Sequence, residues 1–509
     1  MTDKIRVRYA PSPTGDPHVG NVRTALFNYL FAKGQKGQFI VRVEDTDKAR
    51  EVVGSEDKIK EGLAWLGLAA DESPWDGGEH GPYRQSERLE TYKKHSFQLM
   101  EQGYGYFCFC TSQRLAELRV AQEKNHQAPR YDRHCRAINA AEAHKRSQTE
   151  AHVIRLKVPD HEQISWTDLV KGEVAFASDE IDDQVLLKSD GFPTYHLASV
   201  VDDHMMQISH VFRGEDWLSS TPKHLLLYKA FGWEAPEFGH FPLILGPDKA
   251  KLSKRNGNTS LLYYKNELGV HPMAMVHFMV FLGWTPKTVK ETYTLDQLVH
   301  DFSLDRVGVS PAVFDLQMLL FLSHRYLVNQ DLPTTVTQFN QWLVENGQDV
   351  GKEQKDQFYQ GMIDVLRLRC NTYAEVAQGI EAFVRSEQFA HLTGADLLLD
   401  GKIDRAKALE GLGIIRAGIE QLDISSLPPS ADDQIQFLQQ YFRGMQPKEL
   451  DGQAYLHPSR VALTGLRQSM NMFEYLAAYV LKKDGKTLML ERIDRARALL
   501  EKDHKNHNP

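Results

Sequence analysis

Residues 9–31, YAPSPTGDPHVGNVRTALFNYLF, constrain the fold more than any other stretch, because a strand must end, turn stiffly and become a helix within a few residues. Upstream, Ile5, Val7 and Tyr9 alternate with Lys4, Arg6 and Arg8, a strand pattern that stops where Pro11 and Pro13 remove backbone donors. Downstream, Val22, Ala25, Leu26, Tyr29 and Leu30 follow the i, i+3, i+4, i+7, i+8 spacing of an amphipathic helix beginning near Gly20 and Asn21. A strand that delivers the chain to a helix N-terminus presents unpaired amides and a dipole end, both of which favour an anion. Gly15 and Gly20 let backbone approach that anion and His18 adds a donor, so the junction is expected to cradle phosphate. A capped turn without a ligand stays open on these residues alone, since neither GxGxxG nor GxxxxGK[ST] is present here.

A second feature lies at 243–257, LILGPDKAKLSKRNG. Leu243, Ile244 and Leu245 end a strand, Gly246-Pro247-Asp248 turns, and Lys249, Lys251, Lys254 and Arg255 follow in a short loop. Cations this crowded repel one another unless water or a polyanion is near. Beside a phosphate-cradling turn they predict a clamp for a triphosphate. The formal net charge of −8 argues against a protein that coats nucleic acid generically and leaves a local basic face open. With 509 residues the chain is expected to form several domains. No apolar run has the length of a membrane span, the N-terminus lacks a signal-peptide core, and the 4 cysteines do not make a disulfide framework, so a cytoplasmic protein with no membrane partner is expected.

PHVGN resembles the HIGH motif and KLSKR the KMSKS motif of class I aminoacyl-tRNA synthetases. APSPTGDPHVGNVRTALFNYLFAKG, FIVRVEDTDKAR, YRQSERLETYKK, LLKSDGFPTYHLASVVDDH and FRGEDWLSSTPKHLLLYKAFGW together resemble the bacterial-type glutamyl-tRNA synthetases. The resemblance implies an α/β fold: a doubly wound, Rossmann-like parallel sheet with an inserted acceptor-binding domain, followed by all-α anticodon-binding domains. The implied boundaries are 1–92 and 189–262 for the two catalytic halves, 93–188 for the acceptor-stem insertion, 263–330 for a stem-contact domain and 331–509 for a helical anticodon-binding region. YQGMIDVLRLRC and KIDRAKALEGLGIIRAGIEQL support the last of these independently, being rich in helix formers with helically spaced apolar residues. Related glutaminyl enzymes carry β-barrels there and the short glutamyl-queuosine enzymes lack the region, which favours a glutamyl enzyme.

The implied activity is a glutamate–tRNA ligase using ATP, Mg2+, glutamate and tRNA(Glu), monomeric and without a DNA partner; a non-catalytic RNA-binding paralogue of the same fold is the alternative. His18, Lys251 and Lys254 fall on the family's catalytic positions. Gly20, Asn21, Ser253 and Arg255 join them in binding ATP, and Arg8, Ser12, Glu44, Tyr195, Ser199 and Arg213 match the family's glutamate site. Guanidinium groups suit planar carboxylates, and Glu44 suits the α-ammonium. Ser199 departs from relatives that offer an amide there. Cys108, Cys110 and Cys135 resemble a zinc knuckle found in part of the family, whose fourth ligand lies two residues after the third cysteine; here that residue is Ala137. With the adjacent His134 pointing elsewhere, no fourth donor is expected, and neither is zinc.

Overall fold

A computed structural model describes residues 4–253, 257–348, 357–384, 391–465 and 471–505. The chain divides into two compact units, Met1–Tyr263 with Met275–Leu316, and Tyr264–Ala274 with Gln317–Pro509.

In the first unit β1 (Arg6–Tyr9) leads through the proline-rich turn into α1 (Val19–Gly34), which returns the chain to β2 (Gln38–Val41), parallel to β1. All four residues of β1 are buried, arginines included, so its alternation separates two packed faces and not core from solvent. That is the environment of a parallel strand covered on both sides. Arg6 is balanced by Glu72 at 2.8 Å and Arg8 by Asp203 at 3.0 Å. Next come α2 (Ser55–Trp65) and α3 (Leu89–Glu101).

An antiparallel sheet follows, with β3 (Gly105–Cys108) and β4 (Val153–Leu156) paired and β7 (Val185–Leu187) on the far side of β4. Helices α4 (Ser112–Lys124) and α5 (Ala140–Ser147) lie between β3 and β4 in the chain. The hairpin of β5 (Gln163–Asp168) and β6 (Gly172–Ala177) precedes β7.

The parallel α/β arrangement then resumes with α6 (Tyr195–Met205), β8 (His210–Gly214), α7 (Thr221–Phe231) and β9 (Glu237–Phe241), β8 and β9 being parallel. HVFRG is β8, and Pro222 sits in the first turn of α7. β8 packs beside β1, where the Ser209 amide donates to the Arg6 carbonyl at 3.0 Å. The spatial order β2-β1-β8-β9 thus joins strands from both sides of the insertion. Around it, Leu197, Val200, Val201, Val211, Leu227 and Phe238 form one apolar core. β10 (Ile244–Leu245), α8 (Pro272–Phe281), α9 (Leu295–Asp301) and β11 (Ala312–Val313) follow, with α8 spanning the division between the units.

In the second unit the elements among the described residues are helical, from α10 (Leu316–Asn329) to a last helix at Gly485–Lys505. One core that includes Phe339, Ile363, Leu412, Phe442 and Tyr455 runs through it, and Cys370 packs half-buried against that core.

Candidate active site

His18 is the N-cap of α1, and its Nδ1 accepts from the Gly20 amide at 3.0 Å. That bond requires a lone pair on Nδ1, so the neutral ring carries its proton on Nε2, the nitrogen able to donate to a phosphate oxygen. A Cβ on Gly20 would stand 3.2 Å from His18 Nδ1, crowding the cap, and Gly15 has φ +127°, a conformation side chains rarely adopt. The residues beyond the basic loop return to this junction: Val19 donates to the Thr259 carbonyl and Leu261 to that of Pro17, each at 2.9 Å. Ser260 Oγ donates to Asp16 at 2.9 Å. The two motifs read separately in the sequence are therefore sewn together by backbone. Within the loop Lys251 forms an exposed ion pair with Asp216 at 2.8 Å, and Ser253 is half-buried. Lys254 and Arg255 lie outside the described residues.

A cavity of about 620 Å³ opens at the C-terminal ends of β1 and β8, where ligands bind in open parallel sheets. Arg8, Ser12, Asn21, Glu44, Tyr195 and Arg213 all line it. Ser199 does not, although it was expected to touch glutamate: it is fully buried on α6, and its hydroxyl has no hydrogen-bond partner. A side chain this short, set one helical turn below Tyr195, does not extend to the wall. Thr14, Thr24, Thr46, Lys188 and Trp217 complete much of the lining; each lies in one of the blocks that carry the resemblance, but none was given a role there.

The arginines of the site differ in how their charge is met. Asp203 accepts from Arg8 Nε at 3.0 Å and from Arg42 Nη1 at 2.7 Å, and Arg42 also reaches Glu44 at 3.1 Å. Burial pushes the Glu44 carboxyl up to about 7, against the downward pull of Arg42 and Arg8. Arg213, by contrast, is buried among neutral acceptors. It donates to His240 Nε2 at 3.0 Å, to the Tyr195 hydroxyl at 3.0 Å and to Thr221 Oγ1 at 2.7 Å, with His224 Nδ1 at 3.5 Å. Burial, reinforced by the arginine's own charge, keeps His224 well below the usual imidazole range. Among the described residues no carboxylate lies within ion-pair distance of Arg213, so its charge is met by dipoles alone.

The three cysteines do converge, their sulfurs lying within 4.8 Å of one another. Beside them lies the Tyr131 hydroxyl, 3.4 Å from Cys108 Sγ and 3.6 Å from Cys110 Sγ. Cys110 and Cys135 are 3.5 Å apart, while His134 is exposed. Edges of this size are close to those of a tetrahedron around a cation with sulfur bonds of about 2.3 Å. The fourth position implied by the resemblance lies two residues after the third cysteine, whereas Tyr131 lies four residues before it.

The family described as tRNA synthetases class I (E and Q), catalytic domain, matches residues 4–321. A glutamate–tRNA ligase of Chloroherpeton thalassium is 39% identical over 508 residues, 97% of each chain. One from Dehalococcoides mccartyi is 51% identical over 327 residues, 64% of this chain and 66% of its own. The crystal structure of a glutamate tRNA ligase from Elizabethkingia meningosepticum in complex with its amino acid is similar with a TM-score of 0.78 at 31% identity, covering 98% of this chain and 100% of that one. A parallel sheet interrupted by an insertion, a histidine-capped junction sewn to a basic loop, and these matches together place the chain in the class I tRNA synthetases of the glutamyl and glutaminyl (E and Q) family.

Proposed function

We propose that the chain is a glutamate–tRNA ligase. A glutamate carboxylate oxygen attacks the α-phosphorus of ATP and pyrophosphate leaves; the terminal ribose hydroxyl of tRNA(Glu) then attacks the glutamyl-adenylate carbonyl and AMP leaves. Neither step forms a covalent bond to the protein, so the side chains act by positioning and by stabilising charge. The observation that carries the substrate assignment is Arg213, a buried cation on the cavity wall with neutral partners only. Burying such a charge is costly unless an anion completes it, and a guanidinium matches a carboxylate in shape. Glu44, with opposite charge in the same cavity, suits the α-ammonium. His18 and the amides of the junction would meet the phosphates, with Lys251, Lys254 and Arg255 closing over the departing pyrophosphate. Mg2+ would neutralise the polyphosphate, and no residue is assigned to it. Residues 93–188 would hold the acceptor stem, 263–330 the adjoining stem and 331–509 the anticodon, in a cytoplasmic monomer. Among the described residues no helix is long and apolar enough to cross a membrane.

ATP–pyrophosphate exchange with glutamate, measured with and without tRNA, tests this reading. Exchange requiring glutamate is expected. None under either condition would leave a non-catalytic RNA-binding paralogue.

The proposed partner of the α-ammonium gives a pH signature. Glu44 must be ionised to bind a cation, and its folded-state pKa is raised to about 7, so protonation below that value opposes binding. The KM for glutamate is expected to rise by up to about tenfold per pH unit below 7 and to level off above 8. In Glu44→Gln it should be high at every pH and flat from 6 to 8. A wild-type KM that falls on acidification would contradict this role.

The cysteine cluster fits a structural zinc held by Cys108, Cys110, Cys135 and the Tyr131 oxygen, away from the reacting atoms. Metal analysis is expected to find about one zinc per chain, lost in Cys110→Ser together with a lower melting temperature. Metal-free protein that melts like Cys110→Ser would restore the expectation of no zinc.

A further inference from the structure

Behind Arg213 lies a buried carboxylate–imidazole pair that the reaction as described does not use. Asp168 ends β5, within the segment expected to bind the acceptor stem, and its side chain is completely buried. One of its oxygens, Oδ1, accepts three backbone amides, from Val170 at 3.1 Å, Lys171 at 3.0 Å and His240 at 3.1 Å. The other, Oδ2, lies 2.5 Å from His240 Nδ1. His240 stands on β9 directly in register with Arg213 on β8. Its Nε2 faces Arg213 Nε at 3.0 Å and Thr221 Oγ1 at 3.2 Å. An arginine can only donate, and Thr221 Oγ1 already accepts from Arg213 Nη2, so the threonine proton is directed at the same Nε2. Two donors converge on that nitrogen, which must therefore be bare. The ring proton belongs on Nδ1, where an acceptor-only carboxylate holds it.

We propose that Asp168 is a positioning residue for glutamate. By keeping His240 in the Nδ1–H tautomer, it fixes the Arg213 guanidinium in the plane that presents its Nη1 edge to Tyr195 and the cavity. This rests on the ligase reading and deepens it: the β5–β6 hairpin, packed on β9 through the Leu169 amide and the Phe238 carbonyl at 2.8 Å, shapes the amino-acid site without touching it. The arrangement also explains why Arg213 lacks a direct carboxylate. The nearest negative charge in the chain of contacts is held one imidazole away, which leaves the guanidinium's own charge for the ligand.

The test is Asp168→Asn. The three amides require an oxygen at the Oδ1 position, so the asparagine nitrogen must occupy the Oδ2 position and donate to His240 Nδ1. The ring proton then moves to Nε2, head-on to Arg213 Nε–H and the Thr221 hydroxyl. The KM for glutamate in aminoacylation is expected to rise roughly 10- to 100-fold, with the KM for ATP unchanged within about twofold and the melting temperature near that of the wild type. In a His240→Phe background, which raises the glutamate KM by itself, adding D168N should change little, because no imidazole is left to act through. If D168N does not fold, H240F alone decides: it must give the same selective glutamate defect. A wild-type glutamate KM in D168N, equal losses for glutamate and ATP, or full additivity in the double variant would each overturn the proposal. Wild-type protein without glutamate-dependent turnover would instead bring down the ligase reading, and this inference with it.

Discussion

Replacing Arg213 by Gln is expected to raise the KM for glutamate by about 150- to several-thousand-fold, the equivalent of roughly 3–5 kcal/mol, while the KM for ATP stays within about twofold. The size follows from where the residue stands. Arg213 is 6% exposed and its polar partners among the described residues are two imidazoles, a phenol and a hydroxyl, so on the proposed reading its full counter-charge is the carboxylate of the bound amino acid. Without the guanidinium, that carboxylate is desolvated against neutral groups. Stability should move the other way. The empty protein already bears the desolvation of an arginine without a paired acid, so removing the charge should leave the melting temperature unchanged or raised. A variant that unfolds at lower temperature, or one that loses ATP and keeps glutamate, would place Arg213 in the scaffold or at the nucleotide. Arg8 should not behave alike, because losing it removes one of the two guanidinium partners of the buried Asp203, and stability falls with binding.

The second large effect concerns His18, where two functions of one ring can be separated. Nδ1 caps α1 and Nε2 is left with the proton. Asparagine is among the best N-cap residues, and its side-chain oxygen can accept from Gly20 much as Nδ1 does, but it has nothing to put in place of Nε2–H. His18→Asn is therefore expected to keep the melting temperature and to slow adenylate formation by about 30- to 1000-fold, the cost of about 2–4 kcal/mol typical of a lost transition-state donor. His18→Ala should show the same loss of rate and a further loss of about 1 kcal/mol in stability. If the Asn variant turns over like the wild type, the junction is only a cap. Stopped-flow measurement of adenylate formation, beside thermal melts of the three proteins, separates these outcomes.

Much of this site could be read from the chain because its parts are local. A strand, a proline-stiffened turn and a helix occupy 9–31 without a break, so periodicity and breakers place His18, Gly20 and Asn21 together. The strand-end arginines, Arg8 and Arg213, could be marked because ligands of parallel sheets sit at such ends. What stayed hidden was tertiary pairing. Asp168 looks like an ordinary residue at a hairpin turn, and only the packing of that hairpin on β9 sets it against His240, 72 positions away. The alternation in β1 marks a strand but not its burial: Glu72 and Asp203, brought in from distant segments, let both arginines be buried. Tyr131 carries no spacing signal of its own, and only the fold brings its hydroxyl to the sulfurs. Ser199 was placed in the cavity by family position alone, and its short side chain stays inside the α6 packing.

The most direct test of the central claim is transfer of labelled amino acid to purified tRNA(Glu) in the presence of ATP and Mg2+. The account predicts acid-precipitable label with glutamate, release of AMP and pyrophosphate in equal amounts, and no charging with glutamine, whose neutral amide cannot complete the charge of Arg213. Efficient charging with glutamine, or AMP-free binding of tRNA with no label transferred from glutamate, would contradict it.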